Sequence, residues 1–153
     1  MSLETSRDEF RDLLLRHARH PQRVGDMTNA NCHGACKNPL CGDHVEVALK
    51  FDVSGEKISD IRIQVSGCAI ATASASLMTD VVVGQNVSSI ETLVGDVASM
   101  LSQSHADSAL DTKTWQELPM ELRPFQAFRS NPRKIACALI AWYALKDAVK
   151  NGS

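Results

Sequence analysis

The stretch that decides the fold is residues 45–68, VEVALKFDVSGEKISDIRIQVSGC, in the first half of the 153-residue chain. Apolar and polar residues alternate over Val45–Val53, which is typical of a strand with one buried face. After the turn at Ser54-Gly55-Glu56, a second apolar run begins at Ile58 and ends at Val65. Two such runs joined by a short turn predict an antiparallel β-hairpin.

Four segments with apolar residues at helical spacing surround the hairpin. Their ends carry capping residues, a glycine or a proline at the first helical position. They cover about residues 6–19, 68–83, 88–101 and 132–150. The pattern predicts an α+β fold, in which helices pack on a small antiparallel sheet of at least the two strands of this hairpin. The polar segment between Pro21 and His44 is predicted to be a long loop.

Composition and charge exclude several classes of protein. Hydrophobic residues make up 44% of the chain and charged residues 22%, which excludes wholesale disorder. The 16 basic and 18 acidic residues are interspersed, so we expect neither a nucleic-acid partner nor a membrane partner. The amino terminus carries no signal core, which favours a cytoplasmic location. Cytoplasmic thiols stay reduced, so the five cysteines do not predict a disulfide framework.

Three of the cysteines are set apart by their positions. Cys41 lies in a turn before the first strand, and Cys68 lies between the second strand and a helix. Because antiparallel strands place the start of one beside the end of the other, these two thiols should meet. Cys137 would join them if the last helix enters at that end, and Asp43 would add an oxygen. Three thiolates and one carboxylate suit a tetrahedral zinc, or a site for iron and sulfide.

The same cysteines also have plainer interpretations. Cys68 and Cys137 have small or apolar neighbours, and each could be a buried, inert thiol. Cys41 is harder to explain in this way, because a loop thiol between Pro39 and Gly42 buries little surface. On the residues alone, both interpretations stay open.

Three motifs resemble one protein family. Residues 38–43 (NPLCGD), 66–79 (SGCAIATASASLMT) and 134–145 (KIACALIAWYAL) resemble the U-type iron–sulfur cluster assembly proteins, the IscU/SufU/NifU N-domain family. The resemblance extends from the first helix to the last, and the middle motif is highly specific. It implies a small antiparallel sheet, usually three-stranded, with helices packed on it. Members of the family assemble iron–sulfur clusters, or accept sulfur for that purpose from a cysteine desulfurase.

The resemblance also implies the ligands and the branch of the family. The residues that match the metal or cluster ligands are Cys41, Asp43, Cys68 and Cys137. Scaffold-type members have a histidine where this chain has Ala136. Residues from about 102 to 131 resemble an insertion typical of the SufU branch, within a single domain that covers residues 1–153. That branch resembles a zinc-bound sulfur-transfer protein more than a cluster scaffold.

The predicted function is therefore that of a zinc-bound persulfide acceptor, a sulfurtransferase-like protein rather than a conventional enzyme. Its implied partner is a SufS-like cysteine desulfurase. We expect Cys41 to be the nucleophile, because a loop moves more cheaply than a helix. Two alternatives stay open. The same ligands could hold an iron–sulfur cluster for delivery to downstream scaffold or carrier proteins, or the protein could be a structural-zinc interaction module.

Several residues lie outside these motifs and have no role assigned by them. Cys32, His33 and Cys36 stand in a stretch, NCHGAC, that the family pattern does not explain. One interpretation is a pair of exposed loop thiols with no role. The other is a second metal-binding or redox pair, or a relay thiol for persulfide. His17 is predicted to be solvated.

Overall fold

The computed structural model of the protein describes residues 3–38, 42–102 and 131–152. In chain order, its elements are α1 (Leu3–Arg19), β1 (Cys32–Lys37), β2 (His44–Phe51), β3 (Ile58–Ser66), α2 (Ala69–Val82), α3 (Val87–Ser102) and α4 (Pro132–Gly152). The strands form one antiparallel sheet in the order β1-β2-β3. The predicted α+β class is confirmed, and each helix begins and ends within three residues of its predicted bounds.

The hairpin of β2 and β3 supplies the centre of the core. Val45 pairs with Val65, and Leu49 pairs with Ile61. The alternation predicted from the sequence is correct up to Phe51, where β2 ends. Its extension to residue 53 is wrong, because the Asp52 carboxylate accepts hydrogen bonds from the Ser54 hydroxyl and the Glu56 N–H and closes the turn early.

A third strand lies where the sequence predicted a loop. β1 pairs antiparallel with β2, with Gly34 opposite Val47. The residues CHGACK have little β propensity and no apolar alternation, so the pattern gives no local signal for a strand. Contact with α4 explains the strand instead. A Cβ on Gly34 would lie 2.2 Å from the backbone nitrogen of Ala148, so only glycine allows the two backbones to approach this closely.

Polar groups of α4 also cover the outer edge of β1. The Ala35 N–H donates to the Asp147 carboxylate at 3.0 Å, and the Asn151 amide donates to the His33 carbonyl at 2.9 Å. An edge strand otherwise exposes such groups to other chains. These contacts fix the direction of α4, which runs antiparallel to β1.

The helices form a layer on one face of the sheet. α2 lies over β3, α4 lies over β1 and β2, α1 packs on α2, and α3 packs on α4. Within the described ranges, no helix is both long enough and apolar enough to cross a bilayer. The predicted insertion at about residues 102–131 lies almost wholly outside the described residues. The single-domain organisation therefore stays a prediction.

Candidate metal centre

Three of the four predicted ligands meet at one end of the sheet. A carboxylate oxygen of Asp43 and the Sγ atoms of Cys68 and Cys137 all lie within 4.8 Å of one another. On a tetrahedral zinc, two ligand atoms at the usual bond lengths lie about 3.5–3.8 Å apart. The three donors are thus close enough to share one ion after small side-chain adjustments.

Strand pairing explains the meeting of the first two ligands. His44, the first residue of β2, pairs with Ser66, the last residue of β3. Asp43 therefore lies beside Gly67 and next to Cys68, the residue that caps the amino end of α2. A negative ligand is favoured at such an end by the helix dipole. Antiparallel pairing thus brings Asp43 beside Cys68, whereas the predicted meeting of Cys41 with Cys68 involves a residue outside the described ranges and stays a prediction.

The direction of α4 explains the third ligand. Gly34 lies against Ala144 and Ala148, whereas Cys32, at the far end of β1, lies against Gly152. The amino end of α4 therefore points toward the end of β1 that adjoins the site. Cys137 is the sixth residue of α4, and its Sγ lies within 4.8 Å of a carboxylate oxygen of Asp43. The sequence analysis required the last helix to begin at this end of the sheet for Cys137 to join the site, and the helix does so.

Gly67 is a site residue that the sequence analysis overlooked. A Cβ at this position would lie 2.7 Å from Cγ and 2.8 Å from Oδ1 of Asp43. The absence of a side chain is what lets the carboxylate turn toward the two thiols. The available signal was the glycine directly before Cys68, at the end of a strand.

The site is closed on one side and open on the other. Asp43 and Cys137 are buried, with about 7% of each residue exposed, and Oδ2 of Asp43 has no contact with solvent. Cys68 is exposed. Buried carboxylates and thiolates are stable where they are paired or coordinate a metal. A soft cation reached from the side of Cys68 fits this arrangement and this set of donors.

Cys41 lies outside the described residues, and hydrogen bonds join the described residues on its two sides. The Gly42 N–H donates to the Asn38 carbonyl at 2.8 Å, and the Asn38 N–H donates to the Asp43 carbonyl at 2.7 Å. In the sequence Cys41 is two residues before Asp43, and two residues of chain span at most about 7 Å. Its part in the site stays a prediction.

The other two described cysteines do not belong to this centre. Cys32 is buried and Cys36 is half-buried, so their interpretation as exposed loop thiols is wrong. They lie on one face of β1, about 13 Å apart at the usual rise of a strand, so they cannot share an ion. Burial raises the pKa of both thiols, which disfavours the thiolate, the reactive form of cysteine.

His17 is another residue for which the prediction is wrong. It is buried between α1 and α2, and its Nδ1 lies 2.6 Å from the Ser76 hydroxyl oxygen. Burial lowers the pKa of His17, and the carboxylate of Asp80, 3.9 Å from Nε2, opposes that effect. The signal in the sequence was its place on the apolar stripe of the first helix.

Comparison with known proteins identifies the family of the chain. A family model described as NifU-like N-terminal domain matches residues 9–152. The iron–sulfur cluster assembly scaffold protein IscU of Streptococcus pyogenes is 33% identical over 137 residues, which are 90% of this chain and 80% of that protein. The zinc-dependent sulfurtransferase SufU of Bacillus subtilis is 26% identical over 140 residues, which are 92% of this chain and 88% of that protein.

A solved structure shares the fold. The crystal structure of FiSufU from Fervidobacterium islandicum superposes with a TM-score of 0.76 at 23% identity. The match covers 90% of this chain and 94% of that one. At this identity the likeness concerns the fold alone.

Proposed function

This chain belongs to the NifU-like N-terminal domain family, and on that premise we propose that it serves iron–sulfur cluster assembly as a zinc-bound acceptor of sulfur from a cysteine desulfurase. The observation that carries the proposal is the convergence of Asp43, Cys68 and Cys137 from three separate elements. The name of the Bacillus subtilis relative, a zinc-dependent sulfurtransferase, supports the same choice. Such thiols must stay reduced, which favours a cytoplasmic location.

Zinc suits the donors that the chain offers. Asp43, Cys68 and Cys137 would supply three ligands, and Cys41 would supply the fourth from its neighbouring loop. When bound, zinc would keep the coordinated thiols deprotonated at neutral pH. Asp43 would be the one hard ligand of the set and therefore the easiest to displace.

Cys41 is the thiol best placed to accept sulfur. Cys137 is buried, and the carbonyl of Cys68 is tied to Thr72 by two hydrogen bonds at the start of α2. Cys41 instead precedes β2 in a segment that the sequence predicts to be a loop, and a thiol in a loop can turn toward a partner while the two helices stay in place.

The transfer step is a thiolate exchange. The Cys41 thiolate attacks the outer sulfur of a persulfide on the desulfurase and forms a new sulfur–sulfur bond. The sulfur–sulfur bond of the donor breaks, and the desulfurase cysteine leaves as a thiolate. The transferred sulfur keeps its proton and its oxidation state, so the exchange needs no further oxidant or reductant. The protein gains one sulfur atom, so it acts as a sulfur acceptor rather than as a conventional enzyme.

Ala136 favours sulfur transfer over cluster assembly. Its side chain is half-buried directly before Cys137, at the position where scaffold-type members have histidine. A methyl group offers no ligand to iron. The site thus depends on the four predicted residues, a number that suits one closed tetrahedral ion.

A cluster scaffold is the second candidate, and one observation favours it. The Streptococcus pyogenes relative is named a scaffold and shares 33% identity over most of this chain. In that role the same four residues would hold an iron–sulfur cluster as cargo. The cluster would then pass to downstream scaffold or carrier proteins.

Metal and sulfide analysis separates these functions. We expect about one zinc per chain and little acid-labile sulfide in protein purified without chelators, and faster turnover of a SufS-like desulfurase when the protein is added. Iron with acid-labile sulfide would favour the scaffold. Zinc without any effect on the desulfurase would favour a structural-zinc interaction module. The three functions therefore predict three different combinations of metal, sulfide and desulfurase rate.

A further inference from the structure

A buried hydrogen-bond network joins the two helices that supply the thiols. The Ser74 hydroxyl of α2 donates to the carbonyl of Ala138 in α4 at 2.6 Å. The indole Nε1–H of Trp142 donates to the same hydroxyl oxygen at 3.2 Å. All three residues are almost wholly buried. Neither the metal site nor the sulfur-transfer step described above uses this network.

The network lies close to the metal centre along both helices. Ala138 directly follows Cys137, and Trp142 is one helical turn farther on. Ser74 is six residues after Cys68, or about 9 Å along α2 at the usual rise of a helix. A hydrogen bond between Ser74 and Ala138 therefore limits how far the Cys68 and Cys137 thiols can move apart.

The composition of α2 explains why such a bond would be needed. The buried neighbours of Ser74 in the sequence are short side chains, among them Ala71, Ala73 and Ala75. Helices pack in a fixed register when large side chains of one enter grooves of the other. Around Ser74 the short side chains offer few such contacts, and the larger buried side chains of α2, Leu77, Met78 and Val81, begin one turn farther along. A directional hydrogen bond restores a single register.

We propose that Ser74 is a positioning residue for the metal centre, acting through Ala138 and held in place by Trp142. Its hydroxyl fixes α4 against α2, so that the sulfur atoms of Cys68 and Cys137 face one ion. This inference rests on the proposed metal site. It adds that metal affinity depends on a hydroxyl group that touches neither the ion nor its ligands.

The chain offers a matched control two residues farther along α2. Ser76 is as fully buried as Ser74, and its hydroxyl also bridges two partners. Those partners are the His17 ring and the backbone N–H of Gln22, which belong to α1 and the segment after it. Ser76→Ala removes the same atom from the same helix but disturbs a contact on the side of α1.

The test compares zinc affinity by competition with a chromogenic chelator. We expect Ser74→Ala to weaken zinc binding by about tenfold, the lower end for groups that support metal ligands from outside. Ser76→Ala should leave affinity within about twofold of the original protein, even where both variants melt at lower temperature. The absorption spectrum of Co²⁺ bound in place of zinc should shift in Ser74→Ala alone. Equal affinities for the two variants would overturn the proposal.

Trp142→Phe keeps the test decisive if Ser74→Ala fails to fold. It removes the indole N–H and leaves the hydroxyl with its bond to Ala138, so we expect a smaller loss of affinity and a smaller spectral shift. Unchanged affinity and an unchanged Co²⁺ spectrum in Trp142→Phe would then overturn the proposal. The proposed metal site is tested separately, because its failure would appear as absent zinc binding in the unsubstituted protein.

Discussion

Cysteines lie at one end of the sheet and along the strand β1, and among the described residues only the first group forms a candidate metal centre. At that end of the sheet, Asp43, Cys68 and Cys137 arrive from three elements and converge within 4.8 Å. Along β1, Cys32 and Cys36 share one strand and stay far apart under α4. The same type of residue becomes a ligand or a core residue according to whether separate elements bring it to one point.

The largest effect is expected from substitution of Cys41, the proposed sulfur acceptor. Cys41→Ser should abolish stimulation of the desulfurase even where the fold survives, because a hydroxyl cannot carry a transferred sulfur at neutral pH. Asp43→Ala should change the rate of transfer but still allow a persulfide to form. Mass spectrometry after incubation with desulfurase and cysteine locates the added sulfur. Its appearance on Cys36 with Cys41 unmodified would reverse the roles of the two regions.

Chelation should separate the two kinds of cysteine by stability. A ligand at a hundred times its dissociation constant stabilises a fold by about 2.7 kcal/mol, which for this chain length is about 5–10 °C. We expect the zinc-loaded protein to lose this amount when a chelator is added. Cys137→Ala should melt at the lower temperature with or without the chelator.

Cys32→Ala is the control for that measurement. Its side chain is buried, so its loss should cost about 1 kcal/mol through packing. The drop in melting temperature on chelation should nevertheless stay as large as in the unsubstituted protein. A smaller drop would mean that Cys32 contributes to the metal centre.

Two glycine-to-alanine substitutions separate a contact of β1 with α4 from a contact within the metal centre. Gly34→Ala places a Cβ against the backbone of Ala148, so we expect a loss of about 2–4 kcal/mol in unfolding free energy. Gly67→Ala places a Cβ against the Asp43 side chain, which can turn away. Its stability should change less, and its zinc affinity should fall by about tenfold.

The two glycine variants are read by the same pair of measurements. Denaturant unfolding gives the stability of each, and chelator competition gives the zinc affinity of the folded fraction. Gly34→Ala should lose less zinc affinity than Gly67→Ala, because the added Cβ meets α4 at Ala144 and Ala148, two to three helical turns beyond Cys137, and does not meet Asp43 itself. Loss of zinc affinity in Gly34→Ala with none in Gly67→Ala would contradict the assignment of Gly67 to the site.

The contrast also shows where the sequence was informative. The hairpin and the helices are visible because their periodicity is local, and the meeting of Asp43 with Cys68 follows from antiparallel pairing alone. β1 was not predictable in this way, because its stability comes from Gly34 against Ala148, over a hundred residues later. Local residue patterns do not carry such distant contacts.

The polar partner of His17 could not be predicted for the same reason. Its partner, Ser76, lies 59 residues away in the sequence, so the apolar stripe of α1 gave no polar partner for a buried ring. The position of α4 beside Asp43 could likewise only be assumed from the sequence. Its direction depends on Asp147 and Asn151 at the edge of a strand that the pattern did not show.

The smallest effect that we expect is a pH dependence of stability caused by His17, which belongs to neither group of cysteines. Burial lowers the pKa of His17, so below its ordinary value of 6.5 the unfolded chain binds a proton that the folded chain does not. Stability should therefore fall as the pH decreases from about 6.5 toward the lowered pKa of the folded state. The slope is at most about 1.4 kcal/mol per pH unit.

The environment of His17 defines the experiment that isolates this slope. Asp80 lies 3.9 Å from Nε2 of His17 and is itself paired with Arg23 at 2.6 Å. Unfolding should be measured with a chelator present, because protons also compete with zinc for thiolates. His17→Gln should flatten the slope, whereas substitution of the exposed His20 by Gln should leave it unchanged. Equal slopes in both variants would show that another group titrates between the folded and unfolded states.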